Sequence, residues 1–419
     1  MLALEAIVSA LSFIALALFL GQIVAAGFLL PGGEPRTFRA SLMHGGLISL
    51  SAFLGIALIA LFLQGAKIQR AIPSLELLWR YLTMTQSGHV WLGRETYGAA
   101  LILIVWTFVK KANGVKAVRT FAVLALPLVA SRSLMSHAAA LREGAAVAIA
   151  ADALHSIATA LWAGGLMALC RVLFLAAKRW PQAASWRAEI VNRFSRLALV
   201  SVALIIATGT YQSWIHVGGF ETLVNTDYGK TLILKLVFFV LMLGLGALNL
   251  FATKPLLKRL ARAGDNQPSE NRKSLRRIAV ESIMGLLIFS ATGLLTVLPP
   301  GVHAVHQAAT MNRSAISTTA TGTAQPLMLA EGARVKILSP APQQIFTGDK
   351  VPLKFTLTKG KRGAHVHAYI DGELLGMFES QQGTLNGITP GRHTLELRVV
   401  AADHQTELDA KDRIEFIVK

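Results

Sequence analysis

The sequence predicts an all-α polytopic membrane bundle of about eight helices, followed by a small all-β sandwich. Three observations carry that reading. Of 419 residues, 53% are hydrophobic and 15% are charged, against about a quarter charged in soluble domains. The mean hydropathy is +0.52, and the apolar residues collect in long blocks of membrane-spanning length. From about Glu331 onward the apolar pattern changes to a period of two, the signature of strands. These features exclude a single water-soluble globule, a disordered chain and a disulfide scaffold. Cys170 is the one cysteine, so neither an internal disulfide nor a multi-cysteine metal site is available.

Eight apolar segments follow one another: Ala6–Leu29, Leu42–Leu63, Leu92–Val109, Phe121–Ser136, Val147–Leu169, Leu197–Trp214, Leu232–Phe251 and Ile278–Leu298. Each approaches the roughly 17–25 residues needed to cross hydrocarbon, the fourth being the shortest. Helices are the form expected, because an isolated strand in lipid leaves its backbone groups without partners. The first segment is too long, and lacks the basic start, for a cleaved signal peptide, and is expected to stay as a helix.

The formal net charge is +18, a balance that in a soluble protein would suggest nucleic acid. Its distribution points elsewhere. Lys110, Lys111, Lys116 and Arg119 lie between the third and fourth segments, and Arg171, Lys178, Arg179, Arg187, Arg193 and Arg196 between the fifth and sixth. Lys254, Lys258, Arg259, Arg262, Arg272, Lys273, Arg276 and Arg277 lie between the seventh and eighth. The intervening loops, such as Ile215–Asp227, are far less basic. By the positive-inside rule the basic loops are cytoplasmic, which puts both termini outside. No nucleic-acid partner is expected; the lipid bilayer is the partner of this composition.

Residues 1–302 thus form a transmembrane domain. Residues 303–330, rich in Ala, Thr and Ser without an apolar period, form a flexible linker. Residues 331–419 form the outer domain, where Val351, Leu353, Phe355 and Leu357 alternate, as do Val366, Ala368 and Ile370, and Leu395, Leu397 and Val399. Turn signals stand at Thr347-Gly348-Asp349, Asp371-Gly372 and Pro390-Gly391. About seven short strands suggest an immunoglobulin-like sandwich.

No nucleotide-binding loop, zinc-hydrolase histidine pair or nucleophile elbow is present, and no enzymatic activity is expected. The histidines are more informative. With the topology above, His89, His137, His216, His303 and His306 fall at the outer water interface, and His155 lies about two turns inside the fifth segment. Only His44 falls toward the inner side. Imidazole is a good copper and zinc ligand, and thioether favours Cu(I); Met135 lies two residues before His137. His155 is the strongest single candidate, because Asp152 precedes it by three residues in an otherwise apolar span. Intramembrane ionisable groups are costly and usually functional; here the alternative is a structural hydrogen bond between helices. Trp162-Ala163-Gly164-Gly165 offers small residues for close helix packing.

Two further patterns stand out. Thr85-Gln86-Ser87-Gly88 followed by Arg94 is echoed by Thr226-Asp227-Tyr228-Gly229 followed by Lys235, with a basic residue nine after each threonine. Such echoes occur in transporters built from repeated halves. Glu281 is expected to pair with Arg277 or Lys235. In the outer domain, His365 and His367 alternate on one strand face, with Tyr369 and Asp371 continuing it. That face either holds a metal ion with a third ligand from a neighbouring strand or is a polar solvent face. His393 and His404 read as structural or loop residues.

Taken together, Thr85–Arg94, Ser136-His137-Ala138, His155 through Gly165, Arg193-Phe194-Ser195-Arg196, Thr226–Lys230 with Lys235, Asn249, Arg277 to Glu281 and Pro299-Pro300 resemble the copper resistance protein D (CopD) family of bacterial inner-membrane proteins. The resemblance covers about residues 1–300. It implies an eight-helix protein handling copper at the inner membrane, moving it from periplasm to cytoplasm, with a CopC-type periplasmic copper carrier as a possible companion. The outer domain lies outside that family pattern.

The expected cargo is therefore copper, with no tightly bound organic cofactor. The expected metal ligands are His137, His155, His89, Met135, Asp152, His365 and His367. A haem-binding electron-transfer protein using His137 and His155 as axial ligands is one alternative. A non-transporting copper sensor or assembly factor is another.

Overall fold

The computed structural model describes residues 1–111, 114–136, 144–180, 184–217, 219–263, 268–299, 330–348, 350–378, 380–386, 388–401 and 407–418. The chain divides into two compact units, Met1–Val305 and His306–Lys419.

The first unit is helical. Helix α1 (Leu2–Val24) continues into a π-turn (Ala25–Leu29) and is followed by α2 (Arg36–Gln69), the short α3 (Leu75–Met84) and α4 (Gln86–Lys111). Helix α5 (Val115–Ala130) ends in a 3-10 turn (Ser131–Met135). Helices α6 (Ala145–Thr159) and α7 (Gly165–Arg179) are joined by a π-turn (Ala160–Gly164). Then come α8 (Ala184–Val217), the short α9 (Phe220–Asn225), α10 (Asp227–Leu248) with a π-turn (Asn249–Thr253), α11 (Lys254–Ala263) and α12 (Pro268–Leu295). Pro127 accounts for the change of helix type near the end of the fourth span. Lacking an N–H, it weakens the last turn of α5, and the chain tightens into the 3-10 turn.

Among the described residues, seven helical stretches are long and apolar enough to cross a membrane: Leu2–Leu29, Arg36–Gln69, Val115–Met135, Ala145–Arg179, Ala184–Val217, Asp227–Leu257 and Arg272–Leu295. The expected third span, α4, is not among them. It is 26 residues long, with Gln86, His89, Arg94 and Glu95 in its first half and side chains outside the described residues from residue 107 onward. It nevertheless packs beside α2 and α5: Trp91 Nε1 donates to the Ala57 carbonyl of α2, and the Tyr97 hydroxyl to the Leu124 carbonyl of α5.

Helix α1 is the pillar of the bundle, touching α2, α5, α7 and α12. Phe19, Leu20 and Ile23 are fully enclosed there, with Phe38, Leu42, Leu50, Phe53, Leu101, Leu128 and Leu166 completing the core. The Trp162–Gly165 stretch serves the close approach its composition suggests. A Cβ on Gly164 would collide with the Ala17 carbonyl, and one on Gly21 with the Gly164 carbonyl. Outward, Ile48, Leu103, Leu199 and Val240 are each at least 60% exposed. An apolar exterior of that kind is suited to lipid.

The second unit is a two-sheet β domain with eight strands: β1 (Arg334–Ser339), β2 (Ile345–Phe346), β3 (Lys350–Thr358), β4 (Gly363–Ile370), β5 (Glu373–Phe378), β6 (Gln382–Asn386), β7 (Gly391–Ala401) and β8 (Glu407–Val418). One sheet runs β1-β3-β6 and the other β2-β8-β7-β4-β5. Val351, Leu353 and Phe355 of β3 meet Val366 and Ala368 of β4 and Leu395, Leu397 and Val399 of β7 in one apolar core. Asp371 and Gly372 both take positive φ in the β4–β5 turn, a conformation that favours glycine and is tolerated by aspartate.

Candidate metal site

The two threonine corners echoed in the sequence have the same local geometry. Thr85 Oγ1 accepts from the Gly88 N–H at 2.9 Å and donates to the Tyr81 carbonyl at 2.7 Å; Thr226 Oγ1 accepts from Gly229 at 3.0 Å and donates to Thr222 at 2.6 Å. Each caps an orphan amide at a helix start. In each, glycine is required because a Cβ would strike the preceding short helix, at Tyr81 or Leu223. The corners launch α4 and α10, and so set Arg94 and Lys235 at matching depths in two helices.

His155 sits on α6, half-buried, facing α8. Its Nδ1 lies 3.0 Å from Thr208 Oγ1. Thr208 has one hydroxyl proton, and it goes to the Leu204 carbonyl at 2.6 Å. Its oxygen is therefore the acceptor, and Nδ1 of His155 carries the proton. The ring's Nε2 is left with its lone pair, the form in which imidazole ligates a metal. The ring rests on Gly209, where a Cβ would stand 3.3 Å from Cε1.

Asp152, one turn before His155, interacts electrostatically with Arg132, Lys235 and Tyr228, and Lys235 also acts on His155. Polar groups on α5's terminal turn, α6 and α10 thus act on one another within an apolar bundle. Arg132 donates to Ser12 Oγ at 2.7 Å and lies 4.0 Å from the Phe13 ring centroid, tying these groups to α1. The acceptor for the His155 Nδ1 proton is Thr208, a residue that sequence reasoning passed over because a threonine in an apolar helix carries no signal by itself.

The rim residues are less gathered. His89 is exposed, with Nε2 2.8 Å from the Thr83 carbonyl. Met135 Sδ is 3.8 Å from Nη1 of Arg94, which is itself buried and bonded to Glu95. His137, His303, His306 and His404 lie outside the described residues. Among the described residues no three His, Cys, Asp or Glu side chains converge on one point. Glu281, 3% exposed, accepts from Asn249 Nδ2 at 2.7 Å, where Arg277 or Lys235 was the expected partner. The π-turn after α10 begins at Asn249 and so sets that amide.

In the β domain, of the two alternatives for the β4 face, the polar solvent face does not hold. His365, His367 and Tyr369 are 1%, 7% and 8% exposed, because β4 is an interior strand with both faces covered. The two Nε2 atoms are 3.1 Å apart. Arg398 of β7 stands opposite His367 in register, bonded to Glu396 at 2.6 Å and Glu407 at 2.9 Å and lying over the Tyr369 ring. His393 is structural. Its Nδ1 meets Asp371 Oδ2 at 2.6 Å and its Nε2 meets the Thr389 carbonyl at 2.7 Å. Burial opposes its protonation, but two acceptors on two ring nitrogens outweigh it and hold His393 above its ordinary pKa. For Asp371, burial acts upward, and the Thr394 N–H and His393 together hold it below the usual carboxylate range.

Comparison with known proteins gives a consistent answer for the helical unit. Residues 1–148 match a family model described as copper resistance protein D-like, N-terminal domain, and residues 188–295 one described as copper resistance protein D. The chain is 27% identical over 224 residues to copper transport protein CutJ of Bacillus subtilis, covering 51% of this chain and 37% of that protein. It is 27% identical over 286 residues to copper resistance protein D of Pseudomonas syringae pv. tomato, covering 65% and 89%. It is 24% identical over 184 residues to inner membrane protein YebZ of Escherichia coli, covering 43% and 60%. The alignments thus span well under two thirds of CutJ and somewhat under two thirds of YebZ. A solved structure of Clostridium thermocellum CbhA fibronectin(III)-like modules aligns with 20% of this chain and 94% of its own length, at 20% identity and a TM-score of 0.18.

Proposed function

The chain belongs to the copper resistance protein D family through its helical unit, and from that premise we propose that it carries copper across the inner membrane, from periplasm toward cytoplasm, with His155 as the ligand inside the bundle. The observation that supports this most directly is the Thr208–His155 hydrogen bond, which leaves Nε2 of a half-buried imidazole with its lone pair. A partner on the remote ring nitrogen is how proteins orient histidine ligands.

The ion is captured at the outer rim by His89, His137 and Met135, then passed to His155, with Asp152 balancing the positive charge of Lys235 and Arg132. Transfer through successive weak sites suits a path that must bind and release. Both termini are periplasmic in this reading, with α4 counted as a crossing, which brings the number of spans to eight. The β domain then faces the same compartment as the rim, and a CopC-type carrier delivers copper there. No ATP-driven motor is called for; flux follows a gradient or a coupled ion.

The test is copper accumulation in cells expressing the chain or its His155→Ala variant at equal membrane levels. The variant is expected to fall to the level of cells without the protein. Accumulation equal to the parent removes His155 from the path.

A further inference from the structure

The His365–His367 pair has a chemistry of its own. Buried histidines usually find backbone or carboxylate partners, as His393 does. Here two imidazoles turn Nε2 to Nε2 at 3.1 Å, with ring centroids 5.0 Å apart. At such a separation a metal ion about 2.0–2.1 Å from each nitrogen subtends an angle of about 95–100°, close to that of a tetrahedral site. Little has to move for it to enter. The proton now shared between the rings passes to Nδ1 of the donating one, so both rings stay neutral.

The sheet supplies a third donor. Met377 of β5 is the register partner of His367, and directly opposed residues in an antiparallel pair project on the same face with Cβ atoms about 4.5–5.5 Å apart. Met377 is half-buried and β5 is the edge of the sheet, so a thioether is available at the edge of the face that the imidazoles share. The nearby charges are already committed: Arg398 is neutralised by Glu396 and Glu407, and Glu407 also accepts from the Tyr369 hydroxyl at 2.5 Å. Among the described residues, Glu396 and Glu407 are thus engaged by Arg398 and Tyr369. Two imidazoles and a thioether form a soft set, which selects Cu(I) over zinc and over the hard cations.

We propose that His365, His367 and Met377 form a Cu(I) site in the β domain, separate from His155. The choice of copper rests on the function proposed above; the site itself rests on the geometry of β4 and β5.

The experiment titrates Cu(I) under anaerobic, reducing conditions into the purified full-length chain in detergent, against a chromophoric Cu(I) competitor. The parent is expected to bind one equivalent more than the H365Q/H367Q double variant, and His155→Ala to keep that equivalent. Equal stoichiometry in parent and double variant overturns the site. Should the double variant fail to fold, Met377→Leu decides. It is expected to weaken that equivalent by about tenfold or more, the scale on which groups around metal sites act, with an unchanged unfolding temperature; unchanged affinity overturns the site. Zinc displacing Cu(I) at equal concentration also overturns it. Failure of His155→Ala to impair copper accumulation leaves these counts unaffected, so the two readings fail separately.

Discussion

Thr208 on α8 determines which nitrogen of His155 on α6 is protonated. Its hydroxyl proton is given to Leu204, so its oxygen takes the Nδ1 proton of the histidine, and Nε2 keeps its lone pair. A helix-to-helix contact between an unremarked threonine and a histidine thereby sets the chemistry of the bundle's inner imidazole.

The first prediction follows from that contact. Thr208→Val removes the acceptor and leaves a donor in an apolar setting, at a cost of about 1–3 kcal/mol. It is expected to lower the unfolding temperature in detergent and to impair copper transport, while Thr208→Ser restores both. Gly209→Ala, whose Cβ would press on Cε1 of the ring, is expected to reduce transport with a smaller effect on stability. Full transport in Thr208→Val would show that the hydrogen bond does not position His155.

The crossing of α1 over the α6–α7 turn gives a second. Gly164→Ala drives a methyl group into the Ala17 carbonyl, with backbone on both sides. Overpacking of this kind costs about 1–3 kcal/mol, and more where nothing can yield. Gly165→Ala meets only side chains, the Phe194 ring at 3.2 Å and Leu197 at 3.9 Å, and these can shift. Thermal unfolding of the two variants should therefore rank Gly164→Ala well below Gly165→Ala; the reverse order would contradict the packing described.

The third concerns the β domain and pH. His393 is held above its ordinary value of 6.5, so its stabilising contribution is complete below that value and is lost as pH rises through the folded one. Asp371 is held below its ordinary value of 3.8, so its contribution is complete above that value and is lost as pH falls through the folded one. The pair therefore supports the β4–β5 turn most in the mildly acidic range between those limits. Calorimetry of the full-length chain is expected to show the β-domain transition weakening above that range, and His393→Gln is expected to abolish this alkaline slope. A slope unchanged in His393→Gln would assign the effect to other groups.

Much of this was legible in the sequence, for identifiable reasons. Hydrocarbon thickness forces long apolar blocks, so the spans are visible as runs. Alternation made β3, β4 and β7 visible, and the threonine corners could be matched because a cap and a close approach admit few residue types. The sequence could not show that β4 is interior, since a strand covered on both faces by His365, His367 and Tyr369 on one side reads like one with a wet face. It could not find Thr208, Asn249 or Met377 either. Each matters through a partner on another element, and one residue of an ordinary type gives no local sign of that. Helix α4 carries Arg94 and Glu95 in its first half, and only the structure shows that Arg94 reaches Met135.

The central claim is that copper passes through His155. Its most direct test is the initial rate of copper entry into sealed right-side-out vesicles loaded with a copper-responsive dye, comparing the parent with His155→Ala at matched protein density. The account predicts a loss of about tenfold or more, as expected when a metal ligand is removed. Equal rates would contradict it.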